Sequence, residues 1–140
     1  RCTPEQISRY RGRVSGPLLD RLDLRVRVEP VPLEHLQAAG GEPSSTVRER
    51  VLRARRQQIA HQVTLNARLP ADGLEQIMDE SGRRFLRQAG ERMALSARAY
   101  HRVLRVARTI ADLSDEADGR RPIMGTAALA EALAYRGDDW

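Results

Sequence analysis

Arg13-Val14-Ser15-Gly16-Pro17-Leu18-Leu19-Asp20-Arg21-Leu22-Asp23-Leu24 is the stretch on which the reading of this chain turns. Pro17 suits the first turn of a helix, where its missing N–H costs nothing, so a short helix is expected to close at Arg21. A strand pattern follows at once. Leu24, Val26 and Val28 alternate with Arg25, Arg27 and Glu29, a period of two that implies one buried face. No other segment reads as a strand, and one strand cannot satisfy its backbone groups alone. The strand is therefore expected to complete a sheet whose other members lie elsewhere, and the chain to be a piece of a larger protein.

On the N-terminal side, Thr3 and Gln6 form a capping box with Pro4 at the first helical position, which predicts a helix through about Arg11. On the other side, Pro30 and Pro32 stop strand pairing, and residues 38–45, Ala-Ala-Gly-Gly-Glu-Pro-Ser-Ser, read as a linker. Beyond it the periodicity is helical. Thr46 and Glu49 predict a capping box for a helix with Val47, Val51, Leu52 and Ile59 inward. A turn at Pro70 to Gly73 leads into a short helix with Leu74, Ile77 and Met78. Asp79 or Ser81 caps a helix that buries Phe85, Leu86, Ala89 and Met93. Ser96 caps the longest amphipathic helix, with Tyr100, Val103, Leu104, Ala107, Ile110 and Ala111 on one stripe. After a polar loop from Gly119 to Gly125, Thr126 opens a last helix with Leu129, Ala130 and Leu133 inward.

The 24 basic residues are all arginine, and the net charge is +5. Each positive charge is thus a permanent, planar donor suited to phosphates and carboxylates. Aromatic residues make up only 4%, too few for a base-stacking groove. Cys2 is the only cysteine, which excludes an internal disulfide and points to a reducing, cytoplasmic setting. No apolar run approaches membrane-spanning length. His35, His61 and His101 show no ligand spacing, so no metal site is expected, and Cys2 reads as a free thiol. A phosphate loop needs a lysine, and there is none.

Four segments carry a resemblance: Cys2-Thr3-Pro4-Glu5-Gln6-Ile7, the Pro17–Leu24 run, Leu95-Ser96-Ala97-Arg98-Ala99-Tyr100-His101-Arg102 continuing to Leu113, and Leu129-Ala130-Glu131-Ala132-Leu133-Ala134-Tyr135-Arg136. In this order they resemble the magnesium-chelatase-like AAA+ ATPases, and within them most closely the ComM/YifB competence family. The resemblance implies a mainly α fold: a helical bundle, the lid, preceded by the end of an α/β AAA+ core with one orphan strand. It divides the chain into residues 1–37, the end of the nucleotide-binding core; 38–45, a linker; and 46–140, the lid, with a poorly anchored N-terminal arm.

By the same resemblance Arg21 matches the arginine finger that acts across a subunit interface, with Arg13 a weaker second. Such a guanidinium neutralises charge on a transferring phosphoryl group. Read from the residues alone, Arg21 can equally pair with Asp20 or Asp23 and only close its helix. Arg98 resembles the lid arginine, sensor 2, that meets the ATP γ-phosphate of its own subunit, and it lies where a helix N-terminus already favours anions. Its bland alternative is a solvated face shared with Arg102 and Arg105, beside an Arg108–Asp112 pair. Arg48, Arg50, Arg53, Arg55 and Arg56 form the densest basic run. Their charge suits a nucleic-acid backbone, but they point around the helix rather than along one stripe.

These features imply the lid and arginine-finger segment of an ATP-dependent ring motor acting on DNA, inactive by itself. ATP and Mg²⁺ are expected in the intact parent and not in this piece. The expected partners are the chain's own missing core, neighbouring subunits of a homo-oligomeric ring, and DNA. The alternatives are the motor subunit of a magnesium chelatase and a stand-alone arginine-rich DNA-binding module.

Overall fold

The computed structural model of the protein describes residues 3–33, 40–114 and 122–136. Over these residues the chain is mainly α. In order it forms α1 (Pro4–Arg11), α2 (Gly16–Leu19), α3 (Ser44–Gln62), a 3-10 turn (Asn66–Arg68), α4 (Ala71–Glu75), α5 (Glu80–Arg92), α6 (Ala97–Leu113) and α7 (Thr126–Ala134). Cys2, His35, Trp140, part of the 38–45 linker and Gly119 to Arg121 lie outside the described residues.

The helix starts follow local chemistry. Thr3 and Gln6 make the capping box that starts α1, Asp79 accepts from the Gly82 N–H at the start of α5, and Ser96 accepts from the Ala99 N–H at the start of α6. Each cap satisfies a donor that the first helical turn leaves free. The predicted Thr46–Glu49 capping box does not form. α3 begins three residues earlier, at Ser44, behind an extended Pro43 whose ring presets the entry to the helix.

α6 is the axis of the bundle. Its stripe of Ala99, Val103, Leu104, Ala107 and Ala111 is buried and meets Leu74 of α4, Leu86 of α5 and Leu129, Ala132 and Leu133 of α7 in one core. Each fully buried leucine or valine there contributes roughly 1.5–3 kcal/mol. Met78 and Met124 form an isolated bridge, with the Met124 N–H donating to the Ile77 carbonyl at 3.1 Å. That contact closes the loop before α7 onto the turn between α4 and α5.

The core also holds an ion pair. Arg108 and Asp112, four residues apart on α6, are 0% and 5% exposed. The Arg108 guanidinium also reaches the Pro122 carbonyl, while Asn66 donates to Asp112 at 2.7 Å and its N–H donates to Gln58 at 3.3 Å. The i,i+4 pair read from sequence thus forms, inside a buried network that joins α3, the 3-10 turn and α6.

Several sequence expectations are corrected. α3 buries Ala54 and Gln58, while Val47, Val51, Leu52 and Ile59 are exposed, because a short residue and an amide let α3 approach the polar network closely. Met93 is exposed at the end of α5, and in α7 Ala132 is buried where Ala130 is not. α2 ends at Leu19, so Arg21 stands in the turn after it. Residues 24–28 form no strand, and Leu24, Val26 and Val28 are exposed: no partner strand occurs among the described residues, and an unpartnered segment forms no ladder. Within the N-terminal arm, α1 and α2 bury no residue, and residues 20–25 are clasped to α6 and to the end of α7, as detailed below. No helix among the described residues is long and apolar enough to cross a membrane.

Candidate functional site

The site begins with Asp20, the last residue of the α2 turn. Its Oδ2 accepts a hydrogen bond from the Ser96 hydroxyl at 2.9 Å, and its Oδ1 lies 3.6 Å from the Arg136 guanidinium. Ser96 is at the same time the cap of α6. One residue beyond Asp20 stands Arg21; two residues beyond Ser96 stands Arg98. A single hydrogen bond therefore ties together the turns that carry the two arginines. Both side chains are exposed, and neither forms an ion pair among the described residues. Arg13 is also exposed, in the turn after α1, and nothing joins it to the other two.

Asp20 has an electrostatic consequence. The N-terminus of a helix carries a partial positive charge, and Asp20 places a carboxylate beside that of α6. The local field is therefore partly neutralised, and Arg98 stands at this helix start without an ion pair among the described residues.

Around Asp20 the arm is clasped by charge and backbone. Asp23 pairs with Arg102 of α6. The Arg25 N–H donates to the Tyr135 carbonyl at 2.9 Å, and its guanidinium donates to the Arg136 carbonyl. Arg136 returns a hydrogen bond to the Leu22 carbonyl at 3.1 Å. Arg136 is buried, and burial lowers its pKa, reinforced by the Arg25 and Arg102 charges and opposed by Asp20 and Asp23. Asp20 thus holds Arg136 and Asp23 holds Arg102, while Arg25 is held by the Tyr135 and Arg136 carbonyls.

Arg102 and Arg105, grouped with Arg98 in the sequence reading, are engaged instead. Arg102 faces Asp23, and Arg105 donates from Nε and Nη2 to the Leu69 carbonyl at 3.2 and 3.1 Å. Between them lies a cleft of about 460 Å³, walled by Leu24, Val106 and Ile110. Sequence reasoning missed Asp20, Asp23 and Arg136 as a clasp, because no local pattern links positions more than a hundred residues apart; the acidic pair flanking Arg21 was the only signal.

The basic run of α3 separates. Arg50 turns to Glu42 with two hydrogen bonds of 2.8 and 3.0 Å. Arg48, Arg55 and Arg56 are exposed on one stripe with Leu52 and Ile59, the i, i+4, i+7, i+8, i+11 spacing of a single helix face. Arg53 falls off that stripe. Arg48, Arg55 and Arg56 thus share a face, while Arg50 and Arg53 lie off it. Among the described residues no three potential ligands group to hold a metal ion.

Comparison with known proteins places this geometry. Residues 41–136 match the family described as magnesium chelatase, subunit ChlI C-terminal, and residues 1–36 match magnesium chelatase, subunit ChlI. The chain is 44% identical to competence protein ComM of Haemophilus influenzae over 97% of its own length and 26% of that protein's. It is 40% identical to the uncharacterised protein YifB of Escherichia coli, over 99% of its length and 27% of that protein's. It is 37% identical to the uncharacterised protein Rv2897c of Mycobacterium tuberculosis, over 96% and 27%. The chain thus spans about a quarter of the curated relatives it matches. A helical bundle built on α6, matched across most of the chain, makes this protein a member of the magnesium chelatase family, subunit ChlI C-terminal type, within the AAA+ ATPases.

Proposed function

We propose that the chain is the lid and the adjoining core end of an ATP-dependent AAA+ ring motor, and that Arg21 and Arg98 act on the phosphates of bound ATP. The observation that carries this reading is the Asp20–Ser96 hydrogen bond of 2.9 Å, which sets two uncommitted guanidinia on neighbouring turns. Two such groups fit the spread negative charge of a polyphosphate. Bound ATP supplies the phosphoryl group, and Mg²⁺ the counter-charge on its oxygens. The phosphate loop and metal ligands belong to the parent's other residues, since no lysine is present here. What this chain's residues do is orient: Ser96 and Asp20 hold the turns, and the clasp transmits any shift of α6 to the arm.

The sequence reading gave Arg98 the ATP of its own subunit and Arg21 that of a neighbour. The tie between their turns supports one shared target instead. Mixed-subunit turnover separates these. Arg21→Ala and Arg98→Ala in the full-length parent are each expected to lower ATP turnover by roughly 10³-fold or more. Mixing either with a phosphate-loop-defective parent restores activity if both arginines act across the interface. Rescue of Arg21→Ala but not of Arg98→Ala returns Arg98 to its own subunit. Normal turnover by Arg21→Ala defeats the finger assignment.

DNA is the proposed substrate of the parent, located in the cytoplasm, and support comes from the competence name of one relative and from the arginine excess. The family description itself favours the second reading, a motor that drives metal insertion into a tetrapyrrole. Stimulation of turnover by duplex DNA supports the first, and by a tetrapyrrole-binding partner subunit the second.

A further inference from the structure

The cleft between Arg102 and Arg105 has walls that lack partners of two kinds among the described residues. Leu24, Val106 and Ile110 offer an apolar surface, with Leu24 52% exposed. Its volume of about 460 Å³ falls in the range of sites that enclose aromatic groups. On the polar side, Arg102 gives one nitrogen to Asp23, but its Nε is buried with no hydrogen-bond partner among the described residues. A buried donor left unpaired is costly, so an acceptor is wanted here. Arg105 and Arg25 donate to backbone carbonyls, and neither forms an ion pair among the described residues.

The next residues of the sequence supply what these walls lack. Tyr135 lines the cleft, and after Arg136 the chain reads Gly137-Asp138-Asp139-Trp140. The Arg25 guanidinium donates to the Arg136 carbonyl, the group bonded to Gly137 itself, so two acids follow within three residues of that cation's anchor. Four residues span at most about 14 Å, enough to bring Trp140 back to a cleft that Tyr135 borders, and Gly137 permits the reversal. Trp140 is the only tryptophan of the chain. Once buried, its indole N–H needs an acceptor, and the Glu131 carboxylate on the cleft wall is one.

We infer that residues 137–140 fold back on their own chain and seat Trp140 in this cleft, with Asp138 and Asp139 set against Arg25 and Arg105. Leu24 belongs to the arm, and Val106 and Ile110 to α6. A seated indole therefore bridges arm and bundle and latches the clasp. The latch makes no use of Arg21 or Arg98, so it stands or falls apart from the ATP reading.

Tryptophan fluorescence of the full-length protein tests it, with the signal of Trp140 taken as wild type minus Trp140→Phe. Acrylamide should quench that signal at least threefold less than in the same protein unfolded in urea. Asp138→Asn with Asp139→Asn, which leaves every contact described above intact, should raise quenching to the unfolded level, and so should Ile110→Asp. Trp140→Ala should speed tryptic cleavage at Arg25 and Arg27 at least threefold. A Trp140 that acrylamide quenches freely in wild type overturns the inference. Protection that survives either set of substitutions overturns it too, because the indole then lies elsewhere. Protection that is lost on dilution assigns the segment to a second copy and overturns the fold-back. Unchanged cleavage after Trp140→Ala overturns the latch.

Discussion

Arg108 and Asp112 show how much one side chain's surroundings decide. Removing one partner of a buried pair leaves the other charged and desolvated. Asp112→Ala should therefore lower stability by about 3–5 kcal/mol in urea denaturation, far beyond the few tenths expected of an exposed i,i+4 pair. A second residue gives a pH signature. The Gly82 N–H, helped by Ser81, holds the Asp79 carboxyl below its ordinary 3.8. A lowered folded-state value means that Asp79 contributes its full stabilisation above 3.8 and loses it as pH falls through the folded value. Asp79→Asn should consequently show a lower urea midpoint than wild type at pH 7, and the gap should close as pH falls through the lowered folded-state value. The i,i+4 spacing made the Arg108–Asp112 pair legible in the sequence. Its burial was not, because the groups that surround it come from Asn66 and Pro122, distant in the chain.

At the level of helices, the starts at Asp79 and Ser96 could be read directly, because a cap is a local event within four residues. The buried stripe of α6 was equally plain from its spacing. α3 misled for a physical reason: its inward positions are Ala54 and Gln58, and an alanine and an amide carry no hydrophobic signal. α5 offers a sharp test of close packing. A Cβ on Gly82 would lie 3.0 Å from the Leu129 side chain and 3.1 Å from the Met124 carbonyl. Gly82→Ala should therefore cost about 1–3 kcal/mol in thermal or urea unfolding despite the better helix propensity of alanine. Ser96→Ala removes the α6 cap, about 1 kcal/mol, and also frees Asp20. In the full-length parent it should lower ATP turnover while Thr at the same position preserves it, which a loss of stability alone would not do at temperatures well below melting.

For the molecule as a whole, the organising contact is the clasp between residues 20–25 and the bundle. α1 and α2 bury no residue, so polar contacts rather than a core hold the arm. The Asp23–Arg102 pair is partly exposed and is screened by salt. Asp23→Ala should open the arm, read as faster tryptic cleavage at Arg25 and Arg27, and wild type should approach the same rate as ionic strength rises. Helix content and bundle architecture were open to a reader of the sequence; the docking of the arm was not, since it joins residues separated by 111 and 114 positions. That separation has a consequence for biosynthesis. At about 5–20 residues per second a ribosome needs roughly 6–23 s to pass from Leu22 to Arg136. During that interval the segment that carries Leu24, Val26 and Val28 lacks its contacts to Tyr135 and Arg136 and can use only those to Ser96 and Arg102. The contacts from Tyr135 and Arg136 to Leu22 and Arg25 can form only after the end of α7 emerges, so the clasp closes in two stages, first on Ser96 and Arg102 and then on the turn after α7.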